Sequence, residues 1–145
     1  MASVHKSVLV PYSAQHMYDL VEDVEDYPAF LPWCGGVEVF ERTSDHTVVR
    51  IDINFHGIRA YFTTENVNEP PKQIVMTLRD GPFRKLDGNW NFLPLAEQGC
   101  KIEFSLSYEF ATATLEKLIG SVFDQIADSF IDAFVRRAQS TGPSE

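Results

Sequence analysis

Residues 100–138, CKIEFSLSYEFATATLEKLIGSVFDQIADSFIDAFVRRA, decide the architecture. In the first part Ile102, Phe104, Leu106, Tyr108 and Phe110 alternate with Lys101, Glu103, Ser105, Ser107 and Glu109. A period of two puts the two sets on opposite faces of a strand, one buried and one wet. From about Thr112 to Ala138 the period lengthens. Leu115, Leu118, Ile119, Val122, Phe123, Ile126, Phe130 and Phe134 form one apolar stripe at helical spacing. Glu116 near the start of this helix and Arg136-Arg137 near its end suit the macrodipole. Each large apolar side chain gains about 1.5–3 kcal/mol on full burial, so the stripe must lie against an apolar surface.

The chain upstream supplies that surface. Val37 and Val39 flank Glu38, and Val49, Ile51, Ile53 and Phe55 alternate with Arg50, Asp52 and Asn54. His56-Gly57 reads as a tight turn, after which Ile58, Ala60 and Phe62 alternate with Arg59, Tyr61 and Thr63. Asn68-Glu69-Pro70-Pro71 breaks the run. Ile74, Met76 and Leu78 resume it as far as Asp80-Gly81-Pro82, and Arg84 to Leu93 carries Trp90 and Phe92 on one face. Glu97-Gln98-Gly99 turns into the strand quoted above. Short turns between alternating runs make neighbouring strands antiparallel. A first strand at 3–10 stops at Pro11. Ser13 can cap a helix carrying Met17, Leu20, Val21 and Val24, and a short helical turn from Asp26 to Leu31 ends at Pro32. The expected fold is α+β: a seven-stranded antiparallel sheet wrapped around one long C-terminal helix, with two short helices after the first strand. Residues 1–145 read as one domain, with 139–145 a disordered tail.

Composition narrows the function classes. The 145 residues carry 12 Lys and Arg against 21 Asp and Glu, a net charge of −9. Non-specific binding to nucleic acid needs a surplus of cations, so direct DNA binding is excluded on this count. Residues 50–101 hold seven basic and six acidic side chains, and this is the only third that would tolerate an anionic partner. Cys34 and Cys100 are far apart, and no clustered ligands suggest a metal. The opening residues lack the apolar run of a signal peptide, and no window approaches the ~18 apolar residues of a membrane span. The reading is cytoplasmic, with any membrane contact transient and made from the surface, peripheral at the inner membrane.

A strongly curved sheet around one helix often fails to close on itself. The gap is an apolar cavity, whose cost rises with its volume at ~24 cal/mol per Å3. An apolar ligand removes that cost and adds ~0.8 kcal/mol per buried CH2. The pattern alone fits either a filled core or a pocket. The pocket's walls would be Ile53, Phe55, Phe62, Met76, Trp90, Phe92, Phe104 and Tyr108 from the sheet. Leu118, Val122 and Ile126 would come from the helix, and Tyr27, Phe30, Leu31 and Trp33 would form the mouth.

The run Tyr27-Pro28-Ala29-Phe30-Leu31-Pro32-Trp33-Cys34 resembles the coenzyme Q-binding protein family. So do Asp80-Gly81-Pro82-Phe83 leading to Trp90-Asn91-Phe92, and the final amphipathic helix. That family belongs to the START-like, polyketide cyclase/dehydrase-related superfamily with a helix-grip fold, and the resemblance covers residues 3–138. It implies a non-enzymatic carrier that binds ubiquinone or a similar isoprenoid lipid, supports respiration and needs no cofactor beyond that lipid. Bacterial members are similar to a ribosome association toxin, which makes the large ribosomal subunit the alternative partner. A cyclase-like enzyme is a further alternative. The chain has no transit-peptide-like leader, so the resemblance points to a bacterial member.

Single residues carry two readings each. The stiff aromatic segment 27–34 can be a lid over the pocket or a plug closing the barrel. Neither cysteine has a neighbouring base or cation, and His5, His16, His46 and His56 are scattered without metal spacing. Asp19, Glu22, Asp23, Glu25 and Asp26 form either a solvated face or a dock for a basic partner. Arg79, Arg84 and Lys85 are exposed turn charges or headgroup contacts. Asp52, Glu103 and Glu109 fall on the wet phase of their strands, which argues against a catalytic carboxylate pair in the pocket. Tyr61, Tyr108 and Trp90 are the polar-tipped side chains expected to reach it.

Overall fold

The computed structural model describes residues 2–95 and 99–141. Strand β1 (Ala2–Val10) leads into helices α1 (Ala14–Glu22) and α2 (Tyr27–Phe30), joined by a 3-10 turn at Val24–Asp26. Six strands follow: β2 (Cys34–Thr43), β3 (His46–Phe55), β4 (Ile58–Glu69), β5 (Gln73–Asp80), β6 (Phe83–Pro94) and β7 (Cys100–Phe110). Helix α3 (Ala113–Thr141) closes the chain. All seven strands form one antiparallel sheet in the order β1-β7-β6-β5-β4-β3-β2.

The order explains the two short helices. β1 and β2 are consecutive in sequence but lie at opposite edges of the sheet, so the link between them must cross its open side. Ser13 starts α1 by accepting the His16 backbone N–H at 3.0 Å. The turn from β3 to β4 puts His56 and Gly57 at φ +54° and +81°, the left-handed pair that a two-residue hairpin with native twist requires. Gly81 is needed for space as well as conformation. Its φ is +146°, and a Cβ there would stand 2.9 Å from the Cβ of Phe62.

The strand phases put Ile102, Phe104, Leu106 and Tyr108 inside, with Trp90, Phe92, Ile51 and Ile53 beside them. Trp90 anchors the core, with ring centroids 4.6 Å from Phe104, 5.3 Å from Phe134 and 5.7 Å from Phe130.

Helix α3 departs from expectation in two ways. Its buried face is rotated toward small residues: Gly120, Ala127, Ala133 and Ala138 are buried with Val122, Phe123, Ile126, Ile131 and Phe134, while Leu118 is 61% exposed. Weighing only large side chains pulled the expected stripe one step too far round. The helix also continues to Thr141, so Gln139 and Ser140 are helical and not tail, and Arg136-Arg137 stand before the last turn. Residues 142–145 of the expected tail, and Glu97-Gln98 of the expected turn, lie outside the described residues. β4 likewise runs on through Asn68, expected as a breaker, to Glu69.

Candidate functional site: an apolar cavity with a polar inner end

Between α3 and the inner face of the sheet lies an apolar cavity of about 50 Å3. Six residues named from sequence line it: Tyr27, Trp33, Phe62, Met76, Phe104 and Ile126. Val24, Val49, Ile51, Leu86, Leu106, Phe123, Ala127 and Phe130 complete the apolar wall. Leu31, Ile53, Phe92 and Val122 are buried in the surrounding core, and Phe55 is half-buried beside the His56 turn. Leu118 is excluded because it faces outward. The volume is well below the roughly 300–1,000 Å3 of typical ligand pockets, because aromatic rings fill most of the interior.

Two of the three tyrosine and tryptophan assignments change. Tyr61 shares a strand phase with Arg59 and Thr63 and stands outside, with the Arg50 guanidinium 4.1 Å from its ring and its hydroxyl donating to Asp80 Oδ2 at 3.1 Å. Tyr108 is buried, but its hydroxyl points to Asp124 Oδ1, 2.5 Å away, beside an outer groove and not the cavity. Burial, then the Asp124 hydrogen bond, pushes its phenol above the usual range. Trp90 reaches a second, smaller chamber of about 20 Å3, which touches the main cavity at Val24, Tyr27, Asn66 and Met76.

That chamber is the polar end of the interior. Phe62 on the inner face of β4 is followed, two residues at a time, by Thr64, Asn66 and Asn68, all buried. Asn68 Nδ2 donates to Thr47 Oγ1 at 3.1 Å across to β3. Oδ1 of Asn66 is buried without a hydrogen-bond partner among the described residues. Sequence reasoning missed all of these. The signal was present, since Thr64, Asn66 and Asn68 continue the inward phase of Ile58, Ala60 and Phe62. Glu22 stands at the chamber's rim, 31% exposed, with Arg42 Nε 3.4 Å from its carboxylate. Burial raises its pKa.

Segment 27–34 closes one side. Tyr27 donates to the Val21 carbonyl at 2.5 Å, and burial drives its phenol far above the ordinary value. The Trp33 carbonyl accepts from the Asn54 N–H at 2.8 Å, which fastens the segment to β3. Phe30 is half-buried against Tyr27 and Phe134. Arg137 of α3 reaches over it, with its guanidinium 5.1 Å from the Phe30 ring and Nη2 2.8 Å from Asp26 Oδ2. The segment is therefore plug at Tyr27, Leu31 and Trp33, and latch at Phe30.

The acidic stretch that looked uncompensated gains two distant cations, Arg42 at Glu22 and Glu25 and Arg137 at Asp26. The basic side chains near the Gly81 turn are spent on their own sheet: Arg79 pairs with Glu65, Arg84 with Glu109 and Lys85 with Asp87. Glu65 is held below its usual pKa, first by the hydrogen bond from His46 and then by Arg79. Asp52 pairs with Arg50 and Glu103 with Lys101, outside the cavity as their strand phase requires.

Both thiols are buried, and burial raises both pKa values, that of Cys100 to about 11. Neither is a thiolate near neutral pH. Cys34→Ser and Cys100→Ser should each leave ligand binding within a few-fold of wild type in a titration. A loss of ~10³-fold would reinstate thiol chemistry.

The family model "Polyketide cyclase / dehydrase and lipid transport" matches residues 10–135. The chain belongs to this family. The family joins cyclase and dehydrase enzymes with lipid transport proteins, so membership does not choose between them. The chain is 42% identical over 139 residues to the ribosome association toxin RatA of Escherichia coli strain K12, covering 96% of this chain and 88% of that one. It is 30% identical over 145 residues to the mitochondrial coenzyme Q-binding protein COQ10 of Drosophila melanogaster, covering 96% of this chain and 60% of that one. A START superfamily protein from Mycobacterium smegmatis shares the fold at a TM-score of 0.75, with 24% identity over 97% of this chain and 99% of that one. Among the described residues no helix is long and apolar enough to cross a membrane.

Proposed function

We propose that the protein is a non-enzymatic binder of a slender apolar lipid, ubiquinone or another isoprenoid, held between α3 and the sheet and presented to membrane enzymes. The observation that carries this reading is the cavity itself: an apolar wall on both sides, with no carboxylate, imidazole or cation among its described lining residues. A cyclase would need an acid or base at the substrate, and the carboxylate of Glu22 lines only the smaller chamber, at its rim beside Arg42. The name of the COQ10 relative agrees with a quinone. At 50 Å3 the cavity admits a ring or tail only as its aromatic walls part, so tail length should matter up to a limit. In lipid-free protein, a short-tailed ubiquinone at a hundredfold excess over Kd should add ~2.7 kcal/mol, several degrees of melting temperature. Longer tails should add more until the interior is full. No shift with any tail length rejects the reading.

The RatA relatives favour a second reading, association with the ribosome. The net charge of −9 and the pairing of the cations on the outer sheet face oppose an RNA contact, so a ribosomal protein would be the partner. Cosedimentation with salt-washed large subunits, with and without bound lipid, tests it.

A further inference from the structure

The interior is not uniformly apolar, and an amide oxygen with no hydrogen-bond partner among the described residues sits where the two cavities meet. Asn66 is 8% exposed, lines both the 50 Å3 cavity and the 20 Å3 chamber, and carries the buried, unpartnered Oδ1. Two polar neighbours are engaged elsewhere: Asn68 with Thr47, and Glu22 with Arg42. Thr47 faces it directly across the β3–β4 ladder. Leaving a buried amide oxygen without a donor costs free energy, while leucine, close to asparagine in size, would fill the site at no such cost.

We infer that Asn66 reads a hydroxyl group at the inner end of an otherwise apolar ligand, accepting its proton at Oδ1. The inference rests on the cavity being a ligand site, as proposed above. It deepens that reading by orienting the ligand: polar end inward against β4, hydrocarbon toward Phe123, Phe130 and the segment 27–34. Two ligand classes share the chemistry, a prenyl alcohol and the hydroquinone form of a prenylated ring. A quinone carbonyl or an ether has no proton to give and leaves Oδ1 unsatisfied.

The test uses geraniol and geranyl methyl ether, which differ by one methyl group in place of the hydroxyl proton, titrated into lipid-free wild type and Asn66→Leu, the variant reading the steric effect of that methyl alone. The wild type should bind the alcohol about tenfold more tightly than the ether, and Asn66→Leu should bind both alike. In the wild type the side-chain amide resonances of Asn66 should shift with the alcohol and far less with the ether. Equal affinity of wild type for both, or an undiminished preference in Asn66→Leu, overturns the assignment while leaving the cavity a ligand site. Binding of neither overturns the lipid reading and this one together. Should Asn66→Leu not fold, the amide resonances decide: no alcohol-specific shift overturns the inference. A short-tailed hydroquinone against its quinone then separates the sources. Preference for the reduced form identifies a ring hydroxyl, and indifference there with preference for geraniol identifies a prenyl alcohol.

Discussion

Ile126→Asp is expected to abolish cooperative folding near neutral pH. Ile126 is 4% exposed, sits mid-helix in α3 and forms part of the apolar wall. Removing the side chain costs about 2–5 kcal/mol, and an unpaired buried carboxylate adds about 3–5 more. Together these reach the ~5–15 kcal/mol that holds an ordinary domain. Ile126→Asn separates the two contributions. A carboxylate buried without a partner has its folded pKa raised, so it destabilises more as pH rises. The gap between the Asp and Asn variants should therefore widen in urea titrations as pH rises from about 4.5 until the Asp variant no longer folds, and Ile126→Val should lose only about 0.5–1.5 kcal/mol. A variant Ile126→Asp with wild-type melting temperature would mean that this face of α3 is not the one turned inward.

Trp33→Ala should cost about 3–5 kcal/mol, roughly 10–20 °C of melting temperature for a chain of this size, even without ligand. The residue is 4% exposed, its ring centroid is 5.9 Å from that of Phe130, and its carbonyl is tied to β3. Phe30→Ala should cost less, because that ring is only partly buried. Differential scanning calorimetry of both apo variants reads the contrast. Equal, small losses would make the whole segment a lid. A large loss at Trp33 alone confirms that the chain closes the barrel there and leaves only Phe30 and Arg137 to act as a latch.

Most of the fold was legible because strand periodicity is a strong signal when one face is buried. Ile102 to Phe110 and Val49 to Phe55 sit in the phase their spelling demands. The helix was legible in existence but not in rotation. Buried small residues such as Gly120 and Ala127 carry little hydrophobicity, yet they allow close approach, and Leu118 was placed inside on size alone. The cavity wall is legible only in part, for a related reason. Apolar wall residues advertise themselves, whereas Asn66 and Asn68 look like turn formers until β4 is seen to run past them. For Tyr61 the strand phase, and not the polar tip, decides the face it takes. The ion pairs from Arg42 and Arg137 to the acidic stretch join residues 17 and 111 positions apart, and no local pattern encodes that.

The pairing of the first strand with the last has a consequence for how the chain comes into being. Ala2 lies opposite Tyr108 and Val10 opposite Cys100, so β1 finds its only strand partner among the described residues about a hundred residues downstream. The hairpins from β2 to β6 close locally as they emerge in synthesis, but β1 must wait for β7. The helix that covers the inner face arrives later still. Until then the aromatic side of a nearly complete sheet stands open to water, and such surfaces are where growing chains are caught by one another or by chaperones. Assembly of this molecule is therefore settled at its C-terminus, when β7 docks β1 and α3 swings down over Trp90 and Phe104.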